Sequence, residues 1–148
     1  MKTVLLLVIL STCSVSQFFS QEWLLNIEVA QAKAAEEGKT ILMVFQGSDW
    51  CAPCMKLEKE VWETEEFKEY AQEHFILIKV DFPRSRKNAL TKEQSEHNKE
   101  LAGKYNPRGH FPLVVILDSE GHETGSLGYE GVSALEYIDL LNEKIEDQ

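Results

Sequence analysis

Three short runs of consecutive apolar residues dominate the hydrophobic pattern of the chain. They lie at 40–46 (TILMVFQ), 75–82 (FILIKVDF) and 112–118 (PLVVILD). Runs of this length predict strands that are buried on both faces, as in a parallel sheet. A fourth segment, 123–128 (ETGSLG), follows a turn around Gly121 and predicts an edge strand paired with the third strand in a hairpin.

Helical signals separate these runs. Residues 26–37 are rich in alanine, with Asn26 placed to cap the helix and Gly38 to end it. At the other end of the chain, residues 133–145 predict an amphipathic helix that opens with a capping box of the Ser-x-x-Glu type. Its predicted buried stripe consists of Ala134, Ile138, Leu141 and Ile145.

A third helix is predicted to begin at Pro53, since proline is favoured in a first turn. The apolar positions on its inner face change phase near Thr64, so we expect a break at 63–65 and a second helical piece after it, with Thr64 placed to cap that piece. The polar segment 83–100 predicts a long loop followed by the start of a helix that ends near Tyr105.

The order of elements is helix, strand, helix, strand, helix, strand, strand, helix. Strands separated by helices predict parallel pairing, and the final two strands predict a hairpin. The predicted fold class is therefore α/β, with a central mixed β-sheet flanked by helices, in one domain.

The N-terminus has the pattern of an export signal. Lys2 precedes the apolar run 4–10, which is too short to span a bilayer as a helix. Small residues follow at Ser14 and Ser16, so cleavage is predicted after Ser16 or after Ser20.

We therefore predict a signal peptide over 1–20 and a mature domain over 21–148, without an integral membrane segment. The stretch 10–13 (LSTC) also resembles a lipoprotein box, which leaves lipid anchorage through Cys13 as an alternative to a soluble periplasmic protein.

The formal net charge of the 148-residue chain is −10, and removal of Lys2 with the signal moves it to −11. No basic stripe is present to neutralise phosphates, which argues against nucleic-acid partners. We see no oligomerisation segment and expect a monomer.

Without Cys13, the mature chain keeps two cysteines, Cys51 and Cys54. This spacing serves redox pairs, metal sites and structural disulfides alike. A structural disulfide is disfavoured, because such a short loop gives little loop-closure stabilisation.

The pair follows a predicted strand and opens a predicted helix, whose N-terminus stabilises a thiolate. We expect Cys51 to be the more exposed cysteine and to attack a substrate disulfide. Cys54, one turn into the helix, then resolves the mixed disulfide. Pro53 keeps the loop stiff.

Three separated segments resemble the thioredoxin family, in particular its exported members. They are 50–54 (WCAPC), with Ala52 where the family has glycine, 79–82 (KVDF) and 109–118 (GHFPLVVILD). The resemblance covers about residues 23–146. It implies a thioredoxin fold and a thiol–disulfide oxidoreductase that uses no cofactor.

The resemblance also implies specific roles. Pro112 becomes the family's cis-proline, with the backbone of Phe111 offered to an extended substrate, while Trp50 shapes the surface beside the cysteines. The implied partners are disulfide-bearing proteins and an upstream thiol reductant. The Ala-Pro insert favours a reductase over an oxidase or isomerase.

One departure from the family pattern concerns proton transfer. Thioredoxins often carry a buried acid in the strand before the cysteines, but the matching position here, Val44 or Phe45, is apolar. Asp49 is a possible replacement, and Lys79 could influence a buried proton relay. His110, two residues before Pro112, could approach the thiolate.

Two alternative functions stay open. In the first, the two thiolates join a histidine to bind zinc or copper. In the second, the protein is a redox-inactive interaction module whose cysteine pair is vestigial.

Overall fold

The structure, a computed structural model, describes residues 21–146. The predicted signal peptide and Cys13 lie outside these residues. The elements are, in chain order, β1 Trp23–Leu24, α1 Ile27–Glu37, β2 Thr40–Gln46, α2 Ala52–Leu57, α3 Glu65–His74, β3 Phe75–Asp81, α4 Lys92–Tyr105, β4 Leu113–Leu117, β5 Glu123–Leu127 and α5 Ala134–Glu146. A π-helical turn, Glu58–Trp62, continues α2, and a 3-10 turn, Arg86–Asn88, precedes α4.

One five-stranded sheet organises the fold, in the order β1-β3-β2-β4-β5. β3 lies parallel to both β1 and β2, whereas β4 runs antiparallel to β2 and to β5. The predicted mixed sheet flanked by helices is confirmed, and so is the terminal hairpin.

The direction of β4 corrects the prediction that strands separated by helices pair in parallel. Leu113, the first residue of β4, is paired with Phe45 near the end of β2, and Asp81 at the end of β3 is paired with Gln46. The chain therefore re-enters the sheet at the edge where β3 leaves it, and β4 runs in the opposite direction.

Strand β2 separates two hydrophobic layers. Leu42 and Val44 pack in a cluster with residues of α2, the π-helical turn, α3 and α5. Ile41, Met43 and Phe45 face the opposite layer, which α1 and α4 cover. The consecutive apolar run in the sequence thus reflects a strand that is covered on both faces.

The helix ends follow their predicted caps. Asn26 accepts a hydrogen bond from the Val29 N–H at 2.9 Å, and Gly38 ends α1 with a φ of 65°. Ser133 and Glu136 exchange the hydrogen bonds of a capping box at the start of α5. In the predicted stripe of α5, Ala134, Ile138 and Leu141 are buried and Ile145 is partly buried.

The predicted break after α2 is confirmed, because Thr64 caps α3 and accepts a hydrogen bond from the Phe67 N–H. The π-helical turn before it and the two-residue strand β1 had no recognisable sequence signal. In residues 21–146, no helix is both long enough and apolar enough to cross a membrane.

Trp62, at the end of the π-helical turn, is 1% exposed and sits among aromatic rings. Its ring centroid lies 4.5 Å from that of Phe67, 5.5 Å from that of Tyr137 and 5.9 Å from that of Trp23. This side chain therefore joins β1, α3 and α5 behind the helix that carries the cysteines.

We predict that Trp62→Ala lowers the free energy of unfolding by about 3–5 kcal/mol, because it leaves a cavity between these rings. Urea denaturation would show a lower midpoint at an unchanged m-value. Leu135→Ala, at an exposed position of α5, is the control and should change stability by no more than about 0.5 kcal/mol. Equal stability of the two variants would contradict the conclusion that Trp62 joins β1, α3 and α5 in the core.

Candidate active site

Cys51 and Cys54 form a disulfide, with an S–S distance of 2.07 Å, where the chain passes from β2 into α2. Cys51 is the N-cap residue of α2, and its Sγ accepts a hydrogen bond from the Cys54 backbone N–H at 3.3 Å. Pro53 lies in the first turn, as predicted. The local sequence therefore places both sulfurs at the start of a helix.

The expected difference in exposure between the cysteines is wrong for this disulfide form. Cys51 and Cys54 are both 4% exposed. Cys51 is turned inward because its sulfur caps the helix and is bonded to Cys54. Ala52 and Pro53 are exposed and form the outer surface of the turn.

Trp50 packs against three neighbours beside the cysteines. Its indole N–H donates to the Phe82 carbonyl oxygen at 2.7 Å, and its ring centroid lies 5.4 Å from that of Phe111. The Arg84 guanidinium carbon lies 3.9 Å from the Trp50 ring centroid. A Cβ at Gly47 would lie 2.2 Å from the Trp50 ring, so this close contact requires glycine.

Asp49 anchors the loop that follows β3. Its carboxylate accepts hydrogen bonds from the backbone N–H groups of Arg84 and Ser85, both at 2.9 Å, and from the Asn88 amide at 3.0 Å. The two backbone hydrogen bonds are the main cause that lowers the pKa of the Asp49 carboxyl. The carboxylate is therefore engaged with the loop, and the geometry gives it an anchoring role.

The segment before β4 forms the other wall of the site. The Phe111–Pro112 peptide bond is cis, Pro112 is buried, and Phe111 is partly exposed. Asn106, 4% exposed, holds this segment, because its side chain donates to the His110 carbonyl oxygen and accepts from the His110 N–H. No sequence motif marks Asn106 as part of the site. The His110 side chain is exposed.

A cavity of about 330 Å³ lies beside Cys54, and its lining includes Glu58 and Lys79. The Lys79 ammonium forms an ion pair with the Glu58 carboxylate at 3.1 Å. Val44 and Phe45, where thioredoxins often have the acid, are fully buried apolar residues. A carboxylate is thus present near Cys54, but it comes from the π-helical turn that follows α2 rather than from β2.

Glu58 was not among the residues predicted for the site. The available signal was its position four residues after Cys54, which places two side chains on the same face of a helix.

Metal-ligating side chains gather elsewhere in the described residues. Asp118, Glu120 and His122, in the turn between β4 and β5, bring their ligand atoms within 4.8 Å of one another. Neither cysteine belongs to a cluster of three or more such side chains within residues 21–146.

Comparison with known proteins places this arrangement in a family. The sequence model of a family described as thioredoxin-like matches residues 22–119. The disulfide bond reductase DsbH of Chlamydia pneumoniae is 36% identical over 103 residues, which cover 70% of this chain and 60% of that protein. The thioredoxin-related protein DsbJ of the same organism is 34% identical over 116 residues, or 76% of this chain and 32% of that protein.

Solved structures agree with the sequence matches. A DsbH oxidoreductase superposes with a TM-score of 0.79 at 28% identity, and the match covers 88% of each chain. A thioredoxin from Thermus thermophilus has the same fold, with a TM-score of 0.63 at 20% identity and coverage of 86% and 89%. The match spans less than two thirds of the length of DsbH and DsbJ, yet the family model covers more than half of this chain. The chain therefore belongs to the thioredoxin-like family.

Proposed function

We propose that this protein is an exported thiol–disulfide oxidoreductase that reduces protein disulfides through Cys51 and Cys54. The observation that carries the proposal is the Cys51–Cys54 disulfide at the start of α2, next to Trp50, whose ring contacts Phe111 before the cis-proline. The similarity to a disulfide bond reductase supports the direction of the reaction.

The reaction begins from the dithiol form. The Cys51 thiolate attacks one sulfur of the substrate disulfide, which forms a mixed disulfide and releases the first substrate thiolate. Cys54 then attacks the Cys51 sulfur, which releases the second substrate thiolate and closes the Cys51–Cys54 disulfide. Two electrons pass to the substrate, and an upstream thiol reductant returns the pair to the dithiol. The Cys54 N–H, which donates to Cys51 Sγ, favours the attacking thiolate.

The substrate is placed by the segment before β4. In the proposed complex, an extended substrate strand pairs with the backbone of Phe111 and lies across Pro112. The partly exposed Phe111 ring and Trp50 form the apolar surface against which the substrate packs. Ala52 and Pro53 are exposed at the turn and set how closely the substrate approaches Cys51.

Glu58 accepts the proton of Cys54 in this proposal. Resolution requires a thiolate, and a buried thiol needs a nearby group to take its proton. Glu58 lines the same cavity as Cys54, and Lys79 holds its carboxylate in place through the ion pair. Glu58 and Lys79 thus replace the strand acid that is absent at Val44 and Phe45.

The proposed location is the periplasm. Residues 1–20 act as the signal peptide, and the domain over 21–148 functions after cleavage, with anchorage through a lipid on Cys13 as the alternative. The monomer acts on disulfide-bearing proteins and needs no cofactor besides its cysteines.

Substitution of each cysteine separates the two steps. Cys51→Ser abolishes disulfide reduction, because the attacking thiolate is lost. Cys54→Ser still attacks and accumulates a mixed disulfide that a gel without reductant detects. Equal trapping by both variants would contradict the division of roles, and reduction that survives in Cys51→Ser would contradict the proposed function.

The reduction potential tests the direction of electron flow. We expect a reversible two-electron couple close to the thioredoxin value of about −270 mV, measured by counting thiols after equilibration in thiol–disulfide buffers. A value near about −120 mV indicates an oxidant instead. Absence of a reversible couple would favour the redox-inactive alternative.

Glu58→Gln tests the proton acceptor. The variant keeps the size of the side chain, and we expect the mixed disulfide to resolve roughly tenfold to a hundredfold more slowly near neutral pH. Raising the pH should restore much of the rate, because hydroxide then deprotonates Cys54. Rapid quenching of the mixed disulfide measures the resolution step alone.

Glu63→Gln, which changes another carboxylate of the same cavity, is the matched control and should resolve at the normal rate. If Glu58→Gln resolves the mixed disulfide at the normal rate and with the normal pH dependence, Glu58 is not the proton acceptor.

A further inference from the structure

The loop between β3 and α4, together with Lys92 at the start of α4, concentrates positive charge in an acidic protein. Residues 83–92 (PRSRKNALTK) contain four cations and no carboxylate, whereas the whole chain has a formal net charge of −10. The four side chains are exposed, and none forms an ion pair with another residue of the described range 21–146. They are Arg84, Arg86, Lys87 and Lys92.

This basic loop, residues 83–92, is fixed against the site. The Asp49 carboxylate accepts three hydrogen bonds from it, and Trp50 donates to the Phe82 carbonyl oxygen just before it. Asp49 and Trp50 immediately precede Cys51. The start of the loop is therefore anchored to the two residues that precede Cys51 and is not a free segment.

The basic loop also continues the apolar surface of the site. The Arg84 guanidinium lies over the Trp50 ring, with its carbon 3.9 Å from the ring centroid, and the same ring contacts Phe111. A guanidinium stacked by its face keeps its N–H edges available to a carboxylate. A polypeptide lying along Phe111 and Trp50 would thus reach Arg84 next.

We propose that the basic loop selects substrates, favouring disulfide-bearing polypeptides in which carboxylates flank the attacked cysteine. This inference rests on the proposed reductase function and adds the class of substrate. The acidic remainder of the surface repels such segments, so the loop draws their carboxylates to this one side of the domain. The orientation it imposes places the substrate sulfur near Cys51.

Two disulfide-linked peptides test the selection, identical except that aspartates or lysines flank the cysteines. We would measure the second-order rate constants for their reduction by the dithiol protein. We expect a preference of roughly tenfold for the aspartate peptide at about 20 mM salt, falling to about twofold at about 500 mM because salt screens the charges.

The variant Arg86→Ala/Lys87→Ala should lose most of this preference. The ratio of the two peptide rates is measured within one protein, so a general loss of activity cancels. Lys99→Ala/Lys104→Ala, two exposed cations of α4, makes the same change in net charge and should keep the preference.

Three results would overturn the inference. They are an equal rate for both peptides in the unaltered protein, a preference that survives in Arg86→Ala/Lys87→Ala, and an equal loss of the preference in the Lys99→Ala/Lys104→Ala control.

A small uncharged disulfide used as a third substrate distinguishes failure of this inference from failure of the proposed function. If the protein reduces this small disulfide but shows no preference between the two peptides, only the selection by the loop is wrong. If the protein reduces neither the small disulfide nor either peptide, the reductase function is wrong as well.

Discussion

The burial of β2 on both faces is the constraint on which the rest of the structure depends. From Ile41 to Gln46 every residue of this strand is buried, with one hydrophobic layer on each side. A carboxylate in the middle of such a strand is costly unless it is paired or neutralised. Strand β2 therefore has no ionisable side chain, and the candidate site lies where the strand ends. The acid near Cys54 accordingly comes from the helical segment that follows, at Glu58, with Lys79 of the neighbouring strand as its counterion.

Parallel pairing of β2 with β3 determines what surrounds the cysteines. Parallel neighbours end at the same edge, so the loop after β2 and the loop after β3 meet there. Three consecutive residues use this proximity: Ser48 bonds to the Asp81 carboxylate, Asp49 to the loop after β3, and Trp50 to the Phe82 carbonyl oxygen. These contacts fix the residues that lead to Cys51. They also explain why a polar segment that looked like a mere connection lies at the site.

The sequence predicted what depends on local pattern and on recognisable motifs. Asn26, Thr64 and the Ser133–Glu136 pair cap helices where expected, because capping involves residues three or fewer positions apart. The direction of β4 could not be predicted, since it depends on where a distant segment returns in space. The equal burial of the cysteines was missed because the expectation did not include the cap and the bond to Cys54 that turn the Cys51 sulfur inward. Glu58 was within reach of sequence reasoning through its helical spacing from Cys54.

The proposed exchange reaction and the proposed substrate selection use different parts of this small domain. The proposed exchange uses Cys51, Cys54 and the cavity beside them, whereas the positive charge lies on residues 83–92. The Asp49 and Trp50 contacts connect the two. Because the Asp49 contacts are made mostly with backbone N–H groups, the side chains at Arg86 and Lys87 can change without disturbing the anchor. The same scaffold can therefore carry the proposed exchange reaction with a different charge preference. In this proposal, the sequence of the basic loop, rather than the cysteine motif, sets which polypeptides the protein favours.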